Sequence, residues 1–119
     1  MIKMITLLKK RPGMSASEFQ TYYESCHARL GERYVSNAVK YVRRFVKPMP
    51  ELYIGKANDP DFDVIMELWF ENRTELNKAL EVLFRPEVAS EIENDEIRLF
   101  DREHTRVFVV TEECESQLR

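Results

Sequence analysis

Glycine is scarce in this sequence, with only three residues, at positions 13, 31 and 55. They lie too far apart to form the GxGxxG fingerprint of dinucleotide-binding proteins or a phosphate-binding P-loop. No Ser/His/Asp arrangement with a nucleophile elbow is present. The sequence therefore argues against dinucleotide binding and phosphoryl transfer, and it shows no serine nucleophile motif.

Cysteine and histidine are equally rare. Cys26 and Cys114 are far apart and form no CxxC pair, so we expect neither a disulfide framework nor a zinc cluster, and a reducing compartment fits. His27 and His104 are the two histidines, and no HxxxH, HExxH or clustered carboxylate motif surrounds them. We expect no bound metal and no cofactor.

Long apolar runs and an excess of positive charge are also missing. No stretch approaches the ~20 apolar residues that a membrane-spanning helix needs. The opening segment MIKMITLLKKRPG has lysines within its short apolar run and lacks the long apolar region of a signal peptide. The formal net charge of -3 disfavours nucleic-acid binding. We expect a cytoplasmic protein that binds neither membranes nor nucleic acids.

The composition that remains is that of a soluble globular protein. The chain has 119 residues, of which 44% are hydrophobic and 33% charged. This length fits one domain, which we assign to residues 1–112, with a polar C-terminal tail over residues 113–119.

Segments rich in β-branched and aromatic residues predict four strands. These are Lys3–Lys9, Lys40–Lys47, Asp63–Glu71 and Thr105–Thr111. The segment Pro48–Pro60 contains three prolines and a glycine, which predicts a long loop of a kind that often serves as a functional lid.

Helices are predicted between these strands. The capping box Ser15–Glu18 begins a helix that runs to about Leu30, with Gly31 marking its end. A second helix follows the third strand, with Asn72 or Thr74 as its cap. Pro86 suits the first turn of a further short helix, whose inward positions are predicted to be Val88, Ala89 and Ile92.

The predicted order is strand, helix, strand, strand, helix, strand, which is typical of the α+β ferredoxin-like βαββαβ fold with a four-stranded antiparallel sheet. Both faces of the third strand are largely apolar, because Met66 and Leu68 alternate with Ile65 and Trp69. Two helices cover only one face, and an exposed apolar face marks an interaction surface. We predict a homodimer in which two sheets close into one barrel. The alternative is that the Pro48–Pro60 loop folds over this face.

Several segments resemble the EthD-domain family of the dimeric α/β-barrel superfamily. The segment RPGMSASEFQTYYESCHARLGER, residues 11–33, is similar to the opening of these proteins in its turn, in Phe19 and Tyr23, and in the pair His27 and Leu30. VKYVRRFV, FDVIMELWF and FDREHTRVFVVTEE resemble the second, third and closing strands. The resemblance implies an EthD-like dimeric α/β barrel over residues 1–112. Where many relatives have His–x–Pro–Leu, this chain has Arg29 in place of the proline.

A helical wheel of the first helix groups Phe19, Tyr23, Cys26 and Leu30 in one apolar sector, with Tyr22 at one edge. His27 lies at the other edge, where a histidine can act as general base or acid. The alternative is a structural histidine that bonds to a backbone carbonyl. A Cys26–His27 nucleophilic pair is disfavoured, because adjacent residues on a helix point in different directions.

Further residues complete the predicted site. Asp63, which begins the third strand, is predicted to orient His27 or relay a proton, and its alternative role is to cap a turn. An apolar substrate pocket is predicted to be lined by Tyr22, Tyr23, Tyr41 and Trp69, with core filling as the alternative. Glu67 is predicted to form an ion pair with Arg43 or Arg44, and His104 is predicted to lie at the surface.

The resemblance implies a small cofactor-free lyase or isomerase, dehydratase-like, acting on an aromatic or polyketide-like small molecule with His27 as general acid/base. We expect His27→Ala to abolish turnover and to leave the melting temperature nearly intact. The alternatives are a non-catalytic small-molecule-binding or stress-response protein and a cofactor-free monooxygenase. The wider superfamily also includes haem binding, for which His27 or His104 would be the ligand in this chain.

Overall fold

The computed structural model describes all 119 residues of the chain. Its four strands are β1 (Ile2–Leu8), β2 (Lys40–Phe45), β3 (Val64–Phe70) and β4 (Arg106–Val109). Its four α-helices are α1 (Ala16–Tyr22), α2 (Ala28–Tyr34), α3 (Arg73–Leu83) and α4 (Pro86–Leu99). A π-helical turn, Tyr23–His27, joins α1 to α2, and a short 3-10 turn, Arg102–His104, precedes β4.

The strands form one antiparallel sheet in the order β2-β3-β1-β4. In its register Met4 lies opposite Leu68 on β3 and opposite Val109 on β4, and Tyr41 lies opposite Leu68 from the other side. This order and the element sequence are those of the ferredoxin-like α+β fold, which confirms the predicted fold class. The four predicted strands all form, and β4 is shorter than its prediction.

The first helical segment begins as predicted and ends later. The Ser15 hydroxyl accepts from the Glu18 backbone N–H at 3.0 Å, and the Glu18 carboxylate accepts from the Ser15 N–H at 3.3 Å. Helix α2 then continues to Tyr34, so the predicted end at Gly31 is wrong. Gly31 serves a packing role instead, because a Cβ there would lie 2.6 Å from Cε2 of Tyr41.

Replacing Gly31 by alanine should lower the free energy of unfolding by about 1 kcal/mol. The new methyl group displaces the Tyr41 ring, at a cost of about 1–3 kcal/mol, and the better helix propensity of alanine offsets about 1 kcal/mol of it. Urea unfolding measures the difference. In a Tyr41→Leu background the same change should stabilise the protein, and a stabilising Gly31→Ala in the native background would contradict the close approach.

The π-helical turn changes which side chains of this segment face inward. Its i→i+5 hydrogen bonds place more residues in one turn than the 3.6 of an α-helix. His27, four residues after Tyr23, lies on the same side of the helix as Tyr23, with 5.4 Å between the two ring centroids. Cys26 is exposed, so its predicted place in the apolar sector is wrong.

The core lies between the helices and one face of the sheet. One cluster of buried side chains joins α1 and α4 to the last residue of β1 and the first residue of β3. A second cluster joins α3 to the last residues of β3. The first comprises Leu8, Phe19, Tyr23, Ala28, Val64, Leu99 and Phe100, and the second comprises Val35, Leu68, Phe70, Leu76 and Ala79. On α4, Val88 is buried and Ile92 is partly buried, whereas Ala89 is exposed, contrary to its prediction.

The other face of the sheet carries no helix, and we call it the open face. By register it consists of Ile5, Leu7, Val42, Ile65, Glu67, Trp69 and Phe108, together with flanking cationic side chains. The Pro48–Pro60 loop lies against one end of it, where Met49 and Tyr53 line a hollow with Leu7 and Ile65. The loop thus approaches one end of the open face only.

Polar contacts on the open face involve Glu67 and Trp69. The Glu67 carboxylate accepts from Arg44 and, at 2.9 Å, from the indole N–H of Trp69. The predicted ion pair between Glu67 and Arg44 is therefore confirmed. The Trp69 ring lies between the ammonium groups of Lys3 and Lys40, which are 4.1 and 4.5 Å from its centre.

Candidate active site

A mainly apolar cavity of about 220 Å³ lies between the helices and the inner face of the sheet. Its floor comes from β1, β2 and β3, and α4 and the π-helical turn form its walls. Its polar side chains include those of His27, Glu96, Tyr23 and Tyr41. An apolar cavity with a few convergent polar groups is the usual form of a small-molecule site.

His27 is the last residue of the π-helical turn, and its imidazole is held on three sides. Its Nδ1 lies 2.7 Å from Oδ2 of Asp95, and the two side chains are only 13% and 12% exposed. The ring packs edge-to-face against Tyr23 and Phe100, with centroid distances of 5.4 and 5.2 Å. With Nδ1 bonded to the carboxylate, Nε2 has no protein partner and is available to a molecule in the cavity.

Asp95 is itself held by a second bond. Its Oδ1 accepts from the hydroxyl of Tyr22, so Tyr22, Asp95 and His27 form a continuous hydrogen-bonded chain. Burial and the bond to Asp95 raise the pKa of Tyr22, which keeps its hydroxyl protonated as a donor. Such an arrangement fixes both the tautomer and the orientation of the imidazole.

Two of the four predicted pocket aromatics, Tyr23 and Tyr41, line the cavity. Tyr22 bonds to Asp95 and is not part of the cavity wall, and Trp69 lies on the open face of the sheet. Burial raises the pKa of Tyr23 and of Tyr41, so both hydroxyls are neutral at physiological pH.

Tyr41 is positioned by a charged pair at its other side. Arg43 donates to both carboxylate oxygens of Glu24, at 2.6 and 2.9 Å, and its guanidinium lies 4.6 Å from the centre of the Tyr41 ring. The bond to Arg43 lowers the pKa of Glu24, so the pair is ionised. Its fork geometry restrains the strand and the helix that carry these two side chains.

Asp63 forms no hydrogen bond to His27. Its carboxylate accepts from the backbone N–H of Lys10 at 2.8 Å, and its own N–H donates to the carbonyl of Leu8 at 2.8 Å. This is the turn-capping arrangement that was the alternative for Asp63. The carboxylate that contacts His27 is Asp95.

Asp95 and Glu96 were missed by the sequence reasoning. A signal for Asp95 was present: Val88, Ile92, Asp95 and Leu99 recur at spacings of four and three residues, so Asp95 lies within the apolar stripe of α4. A carboxylate in such a stripe needs a partner, which identifies it as a candidate. The sequence contained no sign that the partner would be His27, which belongs to another helical segment.

The remaining histidine is at the surface. His104 is 46% exposed in its side chain, and its Nδ1 pairs with Asp101 at 3.1 Å.

No group of three or more His, Cys, Asp or Glu side chains is gathered in a way that could hold a metal ion. None of the helices combines the length and the apolar composition needed to cross a bilayer.

Fold and cavity together define a ferredoxin-like α+β domain with an enclosed histidine–aspartate pair. The family model of the EthD domain matches residues 11–103, and the chain therefore belongs to the EthD-domain family. This confirms the resemblance found in the sequence. A search of curated proteins finds no match.

Solved structures share this fold. An EthD-family protein from Bacillus halodurans is 17% identical, with 95% of this chain and 99% of the other covered and a TM-score of 0.64. An EthD-like protein from Ralstonia eutropha is 14% identical over 99% and 96% of the two chains, with a TM-score of 0.63. A Bacteroides fragilis protein, described as dimeric, of unknown function and ferredoxin-like in fold, is 13% identical over 92% and 93%, with a TM-score of 0.55.

Proposed function

We propose that this protein is a cofactor-free enzyme of the lyase or isomerase kind that transfers protons on a flat, apolar small molecule of aromatic or polyketide-like character. The observation that carries the proposal is the pairing of His27 with Asp95 at the wall of an apolar cavity. One ring nitrogen is committed to the carboxylate and the other is left for a bound molecule.

In this proposal His27 acts as the general base. Its Nε2 removes a proton from a carbon next to a carbonyl, and the imidazolium that forms is stabilised by Asp95 at 2.7 Å. Because both groups are largely shielded from water, this electrostatic stabilisation is stronger than it would be at the surface. Tyr22 holds the carboxylate in place during the transfer.

The cavity favours a compact planar substrate. Its aromatic wall residues Tyr23, Tyr41 and Phe100 suit the faces and edges of a ring. The volume of about 220 Å³ is below the ~300–1,000 Å³ typical of sites for drug-sized ligands, which favours a compound of one or two rings.

Proton exchange tests this function directly. The protein is incubated in D₂O with propiophenone, whose α-carbon bears exchangeable protons next to an aryl ketone, and deuterium incorporation is followed by NMR and mass spectrometry. We expect incorporation well above the rate in buffer. Saturable binding of propiophenone without exchange would instead favour the second candidate, a non-catalytic binding protein that uses the same cavity.

We also propose that the protein is a cytoplasmic homodimer joined through the open face. Ile5, which lies opposite both Glu67 and Phe108, is at the middle of this face, and Phe108 is 53% exposed in the single chain. A second copy would remove this apolar surface from water. The dimeric description of the Bacteroides fragilis neighbour supports this arrangement. The two free thiols fit a reducing compartment.

Ile5→Lys should convert the dimer into a monomer. An ammonium group between two packed apolar faces has to be desolvated, whereas in a single chain it stays hydrated beside Glu67. Sedimentation velocity should then give the mass of one chain, 14.2 kDa. Ile97→Lys, at a 54% exposed position on α4, is the matched control and should leave the dimer intact. A native protein that sediments as one chain would rule the dimer out.

A further inference from the structure

Glu96 is a second ionisable group on the wall of the cavity that contains His27. It follows Asp95 on α4, and its side chain is 27% exposed. Its carboxyl accepts no hydrogen bond from the protein, and its one ion-pair contact is with Arg102, with 3.6 Å between Nε and Oε1. This contact is longer than a hydrogen bond, and the carboxyl, which lines the cavity, therefore keeps its hydrogen-bonding capacity for a bound molecule.

The surroundings of Glu96 raise the pKa of its carboxyl above its ordinary value. Burial raises its pKa, and the neighbouring carboxylates of Glu93 and Asp95 act in the same direction, while His27 and Arg102 oppose them. His27 is bonded to Asp95 and not to Glu96. An acid and a base can therefore face one cavity without neutralising each other in a direct bond.

We propose that Glu96 is the general acid that complements His27, and that the substrates are β-hydroxy carbonyl compounds on an aromatic framework, which the enzyme dehydrates. This inference rests on the proposed function and adds to it a second catalytic residue and a substrate class. The geometry that supports it is the placement of two unlike proton carriers on one cavity wall, one with a free ring nitrogen and one with a carboxyl that forms no hydrogen bond within the protein.

The reaction balances without an oxidant or a cofactor. Nε2 of His27 takes the proton from the carbon between the carbonyl and the hydroxyl-bearing carbon. The electron pair of that C–H bond forms the C=C bond, and the C–O bond of the hydroxyl group breaks. Glu96 donates its proton to the departing oxygen, so the products are water and the α,β-unsaturated carbonyl compound. The protonated imidazole and the ionised carboxylate then return to their starting states through solvent.

Two related probes separate the two roles. Propiophenone in D₂O reports only the removal of the α-proton, whereas 3-hydroxy-1-phenylpropan-1-one also reports loss of water through the appearance of phenyl vinyl ketone. In Glu96→Gln, which keeps the shape and removes the acid, the ratio of elimination to exchange should fall at least about 100-fold, the lower range for loss of a general acid. Glu93→Gln is the control, because Glu93 lies one turn earlier, contacts the same Arg102 and is 55% exposed.

Each outcome decides the question. If Glu96→Gln leaves the ratio of elimination to exchange unchanged, or if the native enzyme exchanges protons but eliminates no water, Glu96 is not the acid, and the proposed function of His27 stands. If the native enzyme catalyses neither reaction, the proposed function itself fails and this inference fails with it. A melting temperature for Glu96→Gln within a few degrees of the native value shows that the comparison concerns folded protein.

Discussion

His27→Ala is expected to reduce enzyme-catalysed α-proton exchange by about 100- to 10,000-fold, the range that a positioned general base contributes. The imidazole is the one side chain on the cavity wall that combines a free ring nitrogen with a carboxylate partner. Neither Asp95 nor Tyr22 replaces it, since both lie behind the ring and are not part of the cavity wall. NMR detection of deuterium incorporation into propiophenone measures the loss.

The same substitution should also destabilise the protein. This differs from the expectation from the sequence that the melting temperature stays nearly intact. Asp95 is 12% exposed, and loss of the imidazole leaves one of its oxygens without its partner. Leaving a buried acceptor unpaired costs about 1–3 kcal/mol. The melting temperature should therefore fall by several degrees, because about 1 kcal/mol corresponds to roughly 4–8 °C in a domain of about this size.

The loss of exchange can be distinguished from loss of structure. His104→Ala removes the other, 46% exposed histidine and should change neither exchange nor stability. Added imidazole should restore part of the activity of His27→Ala, because the variant has space where the ring was. Native exchange rates in folded His27→Ala would remove His27 from the mechanism.

Phe19→Ala is expected to lower the free energy of unfolding by about 3–5 kcal/mol, the usual cost of truncating a buried phenylalanine. Phe19 is 2% exposed and meets three rings edge-to-face, those of Tyr23, Phe45 and Phe100, at centroid distances of 6.0, 6.0 and 5.9 Å. Small domains have about 5–15 kcal/mol of stability in total, so this loss is a large fraction of it.

Phe84→Ala provides the matched control. Phe84 is 75% exposed at the end of α3, so its truncation should change stability by less than about 0.5 kcal/mol. Urea unfolding of both variants, with equal slopes, gives the comparison. A cost below about 1 kcal/mol for Phe19→Ala would show that the aromatic cluster is not packed as described. Because Tyr23 and Phe100 also hold the His27 ring, the variant should lose exchange activity as well.

Much of the fold was predictable because it depends on short-range pattern. The alternation in β3 and the β-branched and aromatic content of the strands reflect the pleat and the burial of each strand, and the capping box at Ser15 reflects the local needs of a helix end. Gly31 was misread because glycine has two uses. It can end a helix, or it can leave room for a neighbouring side chain. Gly31 leaves room for the ring of Tyr41, a residue ten positions further along the chain, and this contact is not visible in the local sequence.

The site was predictable only in part. His27, Tyr23 and Tyr41 were predicted site residues and all three line the cavity, whereas Tyr22 bonds to Asp95 and Trp69 lies on the open face, away from their predicted positions in a pocket. The helical wheel assumed an α-helix throughout, and the π-helical turn changed the direction of Cys26 and of the residues beside it.

The sequence by itself determined the order of strands and helices, the apolar character of both sheet faces and the presence of a histidine at the edge of a helical core. Those properties follow from periodicity and from local backbone preferences, which neighbouring residues set among themselves. Only the tertiary structure decided that Asp95, 68 residues away along the chain, is the partner of His27, and that Glu96 shares its cavity. The physical reason is that a hydrogen bond between two helices requires their relative placement, which results from packing of the whole core on the sheet.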